Sequence, residues 1–221
     1  MESLFLAFIA SLLTVKMNQA RNGEVKTLLE FAGVESKPGR LSESALVIID
    51  AQKEFTDGKL GLRGLDAALR EARKVLDRAR RLGVPVIHVR HVNKPGAALF
   101  DPESESVAGI DLLGARGGEA IVEKTFANAF FDSTLDAEIR KTGRKNLIVF
   151  GYMTHMAVDA TVRAALERGY RTTVVGDACA TRDLAGAGGR LIPAAQVHAV
   201  TLAALRDRFA AVVESGSELP D

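Results

Sequence analysis

The chain has a single cysteine, Cys179, among 221 residues, which rules out an intramolecular disulfide and a cysteine-built metal cage. That fits a reducing, cytoplasmic compartment. Charge of one sign is also missing: 29 Lys and Arg against 28 Asp and Glu leave a formal net charge of +1. The basic residues are spread along helix faces such as Arg70 to Arg81, so no nucleic-acid partner is expected. No apolar run reaches the roughly 20 residues that cross a bilayer. Leu4 to Leu13 comes nearest, but Glu2 precedes it where a secretory signal would be basic, and no A-x-A-type cleavage site follows. That run reads as a helix packing on the domain or on a second subunit, with no membrane partner. Internal repeats and low-complexity tracts are absent too.

What is present is an ordinary folding composition, 47% hydrophobic and 26% charged, in a length that suits one domain. From Ala45 the chain reads A-L-V-I-I-D, an unbroken apolar run of the kind found in a strand covered on both faces. Between Gly64 and Leu82 the apolar residues Leu65, Leu69, Ala72, Val75, Leu76 and Ala79 recur at helical spacing. The alternation continues with strands near Val86–Arg90, Ala120–Lys124, Leu147–Phe150, Thr172–Val175 and Ala210–Val213, and helices near Leu135–Lys141, His155–Arg168 and Ala194–Arg208. Six strands alternating with helices predict an α/β fold, a three-layer α/β/α, doubly wound and mostly parallel six-stranded sheet. Residues 1–44 read as a helical or irregular extension and 45–221 as the domain. The long connection from Asn93 to Gly118 is expected to cover a pocket or an interface.

Ligands of such sheets bind beyond the carboxyl ends of the strands, so the residues there carry the functional argument. The first strand ends at Asp50 without a G-x-G-x-x-G turn, which argues against a dinucleotide. Asp50 itself reads equally as a turn-capping carboxylate or a reactive one. Lys124 ends the third strand and reads as a solvated charge unless Asp50 is its partner. After the fourth strand comes Gly151 to Val158, in which Thr154 is the natural N-cap. Backbone N–H groups near Met156 and Ala157 would then form an anion or oxyanion site, or simply a helix start.

Three segments, I-I-D-A-Q-K-E-F (48–55), E-K-T-F-A-N-A-F (123–130) and G-Y-M-T-H-M-A-V-D-A-T-V-R-A-A (151–165), together resemble the isochorismatase-like cysteine hydrolases. That superfamily includes nicotinamidases, N-carbamoylsarcosine amidohydrolase and ureidoacrylate hydrolases. The resemblance covers roughly Ala45 to Val213. It implies Asp50 as general base, Lys124 as its ionic partner, a cysteine nucleophile at position 157, oxyanion donors at 156 and 157, and a cis peptide at Tyr152–Met153. A thiolate at a helix start beside a lysine has a depressed pKa, so the implied chemistry is coherent.

Position 157 is alanine, and covalent catalysis cannot start there. Losing a nucleophile that works with its base as one unit can cost on the order of 10⁶ in kcat. One reading is a non-peptide C–N hydrolase, acting on an amide, carbamoyl or ureido group, with cysteine replaced by alanine. Thr154 and T-F-A-N-A-F suit that reading, which is the favoured one. Another is a cysteine-free vinyl ether hydrolase like the true isochorismatases, which His155 suits. A catalytically dead binding protein is the third. Cys179 reads as a small buried residue and not as a substitute nucleophile. Nicotinamidase-type metal ligands are missing between Asp50 and Leu62, and His88 and His91 point to opposite faces of a strand, so neither metal nor cofactor is expected. Gln52, Phe55, Tyr152, Met153, Thr154, His155 and Met156 are the candidate lining of a partly apolar pocket for a small molecule. The resemblance further implies a homodimer or homotetramer.

Overall fold

The computed structural model describes residues 25–221, so the expected helix over Leu4 to Leu13 lies outside the described residues. The chain divides into two compact units, up to Glu35 and from Ser36 onward. In the first, the single helical turn α1 (Leu28–Phe31) begins with a capping box: Thr27 Oγ1 accepts from the Glu30 N–H, and the Glu30 carboxylate accepts from the Thr27 N–H. The larger unit starts earlier than the sequence suggests. Gly39 donates to Thr173 Oγ1 at 2.8 Å and Leu41 donates to the Pro220 carbonyl at 2.8 Å, which ties residues 39–44 into the domain.

The central sheet contains β1 (Ser44–Ile49), β2 (Val86–His91), β3 (Ala120–Lys124), β4 (Asn146–Gly151), β5 (Arg171–Val175) and β8 (Ala211–Val213). Their spatial order is β3-β2-β1-β4-β5-β8, with every neighbouring pair parallel. All six residues of β1 are buried, as its unbroken apolar run requires of a strand covered on both faces. The helices α2 (Leu65–Arg81), α3 (Leu135–Lys141), α4 (Asp159–Glu167) and α5 (Ala194–Arg208) surround the sheet. Leu65, Ala68, Leu69, Ala72, Val75, Leu76 and Ala79 form the buried stripe of α2. A two-stranded antiparallel hairpin, β6 (Leu184–Ala185) and β7 (Leu191–Ile192), adds two short strands that apolar spacing does not reveal.

The chain runs from β1 outward to β3, then returns to the other side of β1 for β4. The carboxyl ends of β1 and β4 are therefore the switch point where doubly wound sheets bind ligands. Gly151 makes the approach there possible. Its φ is +140°, and a Cβ on it would lie 2.0 Å from the Ile49 carbonyl oxygen. No side chain fits this position.

The helix expected over His155–Arg168 starts differently. Thr154–Val158 form a wide π turn, with the Val158 N–H reaching back five residues to the Met153 carbonyl, and regular α4 begins only at Asp159. Such turns lie beyond what apolar spacing reveals, and they are common at functional sites.

Candidate active site

Asp50 follows β1 in the left-handed region, with φ +50°, and its N–H is held by the Val89 carbonyl at 2.8 Å. It is 4% exposed. One carboxylate oxygen, Oδ2, accepts from Lys124 Nζ at 2.7 Å, while Oδ1 is buried without a hydrogen-bond partner. Burial pushes the Asp50 pKa up to about 6 even though Lys124 pulls it down. Lys124 ends β3 and is 2% exposed. Its side chain crosses the end of β2 to reach Asp50.

At that crossing stands a residue the sequence reading considered only as a metal ligand. His91, the last residue of β2, has Nδ1 3.2 Å from Lys124 Nζ and Nε2 3.0 Å from Asn93 Oδ1. The signal that could have found it was its place, since it ends β2 as Asp50 follows β1 and Lys124 ends β3. His88 does point away from it, into a separate cluster with Glu119. Among the described residues, no group of three or more His, Cys, Asp or Glu could hold a metal ion.

The 151–158 segment lies on the other side of Asp50. Tyr152 donates its N–H to the Ile49 carbonyl at 2.9 Å, and the Tyr152–Met153 peptide is cis. Met153 is half-buried against the core. Its carbonyl accepts from Met156 at 3.0 Å and from Val158 at 3.3 Å, on either side of position 157. The Met156 N–H is thus engaged inside the turn and is not a free oxyanion donor. Ala157 is 3% exposed, whereas Met156 is 45% exposed.

Thr154 is not the N-cap that its place before the helix suggests. Fully buried, it directs both its N–H and its hydroxyl at the Ala180 carbonyl, at 3.0 and 3.1 Å, with His198 Nδ1 2.9 Å from the hydroxyl. The side chain is drawn toward the segment after β5, so it joins two loops and leaves the first turn uncapped. His155 is likewise engaged, its Nδ1 2.5 Å from Thr181 Oγ1.

Gln52 was a candidate substrate contact, but its amide is fully used within the protein. Nε2 donates to the His91 and Val107 carbonyls, both at 2.8 Å, and Oε1 accepts from the His91 N–H at 2.7 Å. Phe55 and Tyr152 are buried and meet edge to face with ring centroids 5.8 Å apart. The Tyr152 hydroxyl has no partner, and burial raises its pKa. Glu54 escaped the sequence reading. Its buried carboxylate accepts from the Lys59 and Phe100 N–H groups and from Ser106 Oγ, fastening the 93–118 connection beside the strand ends. Cys179 is buried and its thiol pKa is pushed up to about 12 by burial, so it is no substitute for a thiol at 157. A cavity of about 500 Å³ is lined by Arg63, Glu71, Cys179, Thr181 and His198 among others, but by none of Asp50, Lys124 and Ala157.

The chain matches the isochorismatase domain over residues 44–217, and it belongs to that family. An uncharacterized isochorismatase family protein of Bacillus subtilis, YddQ, is 38% identical over 171 residues, covering 76% of this chain and 94% of that protein. The secreted isochorismatase effector Isc1 of Verticillium dahliae is 34% identical, with coverage of 83% and 94%. The crystal structure of an isochorismatase from Pseudomonas putida superposes with a TM-score of 0.83 at 41% identity, covering 88% of this chain and 99% of that one. The family also includes amidohydrolases: a nicotinamidase of Arabidopsis thaliana is 29% identical over 62% of this chain and 73% of that protein.

Proposed function

We propose that this chain hydrolyses a vinyl ether in a small molecule by proton transfer at Asp50, without a covalent intermediate. The observation that carries the reading is the Asp50 carboxyl itself: buried, paired through one oxygen with Lys124, free at the other, and with a pKa near 6. Such a group holds a proton at mildly acidic pH and gives it up readily, as a general acid must. Position 157, by contrast, offers no atom to attack a substrate.

The steps balance with water as the only co-reactant. Protonated Asp50 gives its proton to the terminal carbon of the enol ether, forming a C–H bond and leaving an oxocarbenium centre. Lys124 stabilises the carboxylate that results. Water adds to the oxocarbenium carbon while Asp50 takes back a proton, and the hemiketal collapses to an alcohol and a ketone. Similarity to a protein named as an isochorismatase effector supports this bond class. The test is pyruvate release from isochorismate and simpler enolpyruvyl ethers by the unmodified chain, with kcat/KM falling as pH rises above about 6.

A C–N hydrolase lacking its thiol is the second reading, favoured by Ala157 being buried in the turn that follows β4 and by the amidohydrolase relatives. Under it, Ala157→Cys gains hydrolysis of amide, carbamoyl or ureido compounds. Asp50 then acts as a base, so activity rises with pH through about 6. No turnover by either protein, with retained small-molecule binding, would leave the binding-protein reading. A cytoplasmic homodimer or homotetramer belongs to the same proposal, and light scattering of the purified chain tests the assembly.

A further inference from the structure

We propose that His91 is a positioning residue for Lys124, its neutral imidazole accepting one ammonium N–H so that a second is held on Asp50 and the third is left for the reacting molecule. This rests on the reading of Asp50 and Lys124 as the acid–base pair. An ammonium has three donors and no acceptor. Two are accounted for, at 2.7 Å to Asp50 Oδ2 and 3.2 Å to His91 Nδ1. Two acceptors in fixed directions stop the ammonium from rotating, which fixes where its third N–H points.

The direction of every bond in this chain follows from its far end. Asn93 Nδ2 donates to the Leu99 carbonyl at 3.0 Å, which turns Asn93 Oδ1 toward His91. That oxygen can only accept, so His91 carries its proton on Nε2 and presents a bare Nδ1 to Lys124. Burial and the neighbouring Lys124 charge both hold the His91 pKa below the usual imidazole value, keeping the ring neutral. Its backbone is clamped on both sides by the Gln52 amide, and the ring packs against Phe100 with centroids 4.9 Å apart. A carboxylate in the same place would draw the lysine charge away from Asp50. A neutral acceptor orients the ammonium and leaves its charge for the acid.

The first measurement needs no substrate: ¹⁵N-histidine NMR of the full chain. We expect His91 as the neutral Nε2-protonated tautomer at pH 7, and an Nδ1-protonated or charged ring would overturn the proposal. Next, the Asp50 carboxyl is titrated by ¹³C NMR in His91→Leu, which loses the acceptor, and in His91→Asn, whose amide oxygen can replace Nδ1. The midpoint should rise in the leucine variant as the ammonium loosens from Asp50, and stay near its original place in the asparagine variant. With a turned-over substrate, His91→Leu should lose at least tenfold in kcat with KM within about twofold, and His91→Asn should recover most of that loss. An unchanged midpoint and kcat in a folded His91→Leu protein would also overturn the proposal; if leucine prevents folding, the tautomer and the His91→Asn titration decide. Absence of turnover in the unmodified chain would count against the hydrolase reading alone.

Discussion

Two charged clusters branch from the same strand, one through His88 and one through His91, and they differ in how completely their carboxylate is satisfied. Glu119 accepts from Arg80 Nε and Nη2 at 2.8 and 2.9 Å and from the Arg116 N–H at 2.8 Å, with His88 Nε2 2.9 Å away. These bonds hold its pKa down to about 2. Asp50 has one partner and one orphaned oxygen, and its pKa rises to about 6. A saturated carboxylate locks β2, α2 and the loop before β3 together. An unsaturated one, at the switch point of the sheet, keeps a lone pair and a movable proton for chemistry.

The sharpest way to break this comparison is to neutralise each carboxylate in turn. Asp50→Asn should lower turnover on the order of 10²–10⁴-fold, and it leaves the buried Lys124 ammonium without its counter-charge. Burial favours the protonated form of Asp50, so its contribution to stability is present below its ordinary 3.8 and is lost as pH rises through about 6. Glu119→Gln should leave chemistry intact while costing about 2–4 kcal/mol in urea unfolding at neutral pH. Its carboxylate stabilises the fold above the ordinary 4.5 and loses that contribution as pH falls toward about 2. Equal losses of turnover in the two variants would erase the distinction.

Removing the lysine sharpens the same contrast. Since Lys124 lowers the Asp50 pKa by its charge and its hydrogen bond, Lys124→Met should raise the carboxyl titration midpoint by about one unit or more. Carboxyl-selective NMR would read the shift, and a fall would show that Lys124 is not the controlling charge. The smallest effect is expected at His88→Gln, where the amide can still donate to Glu119. Calorimetry should find a loss of about 1 kcal/mol or less, with no change in the Asp50 midpoint.

Much of this was legible along the chain, and the reason differs from place to place. The apolar run of β1 and the 3.6-residue stripe of α2 are local patterns, so they marked their elements to within a residue or so of the observed ends. The hairpin at 184–192 was hidden because two-residue strands are too short to show a period. Asp50 and Lys124 stood out as charges at the ends of apolar strands, but their pairing spans 74 positions and depends on strand order. Thr154 misled because a threonine before a helix is an N-cap only if the backbone turns the usual way, and here a π turn sends the hydroxyl to Ala180.

By itself, then, the sequence determined which segments are strands and helices, that they alternate, and that the carboxyl ends of the strands carry an acid, a lysine and a turn without a nucleophile. Those follow from residue type and short-range spacing. Tertiary structure alone decided what each group can do. Burial and a single lysine partner set the Asp50 proton near pH 6, a glycine with no room for a Cβ brought β4 against β1, and one strand end brought His91 to Lys124 while its neighbour His88 went to Glu119. Proton affinity depends on what surrounds a group in space, and neighbours in space are not encoded by neighbours in sequence.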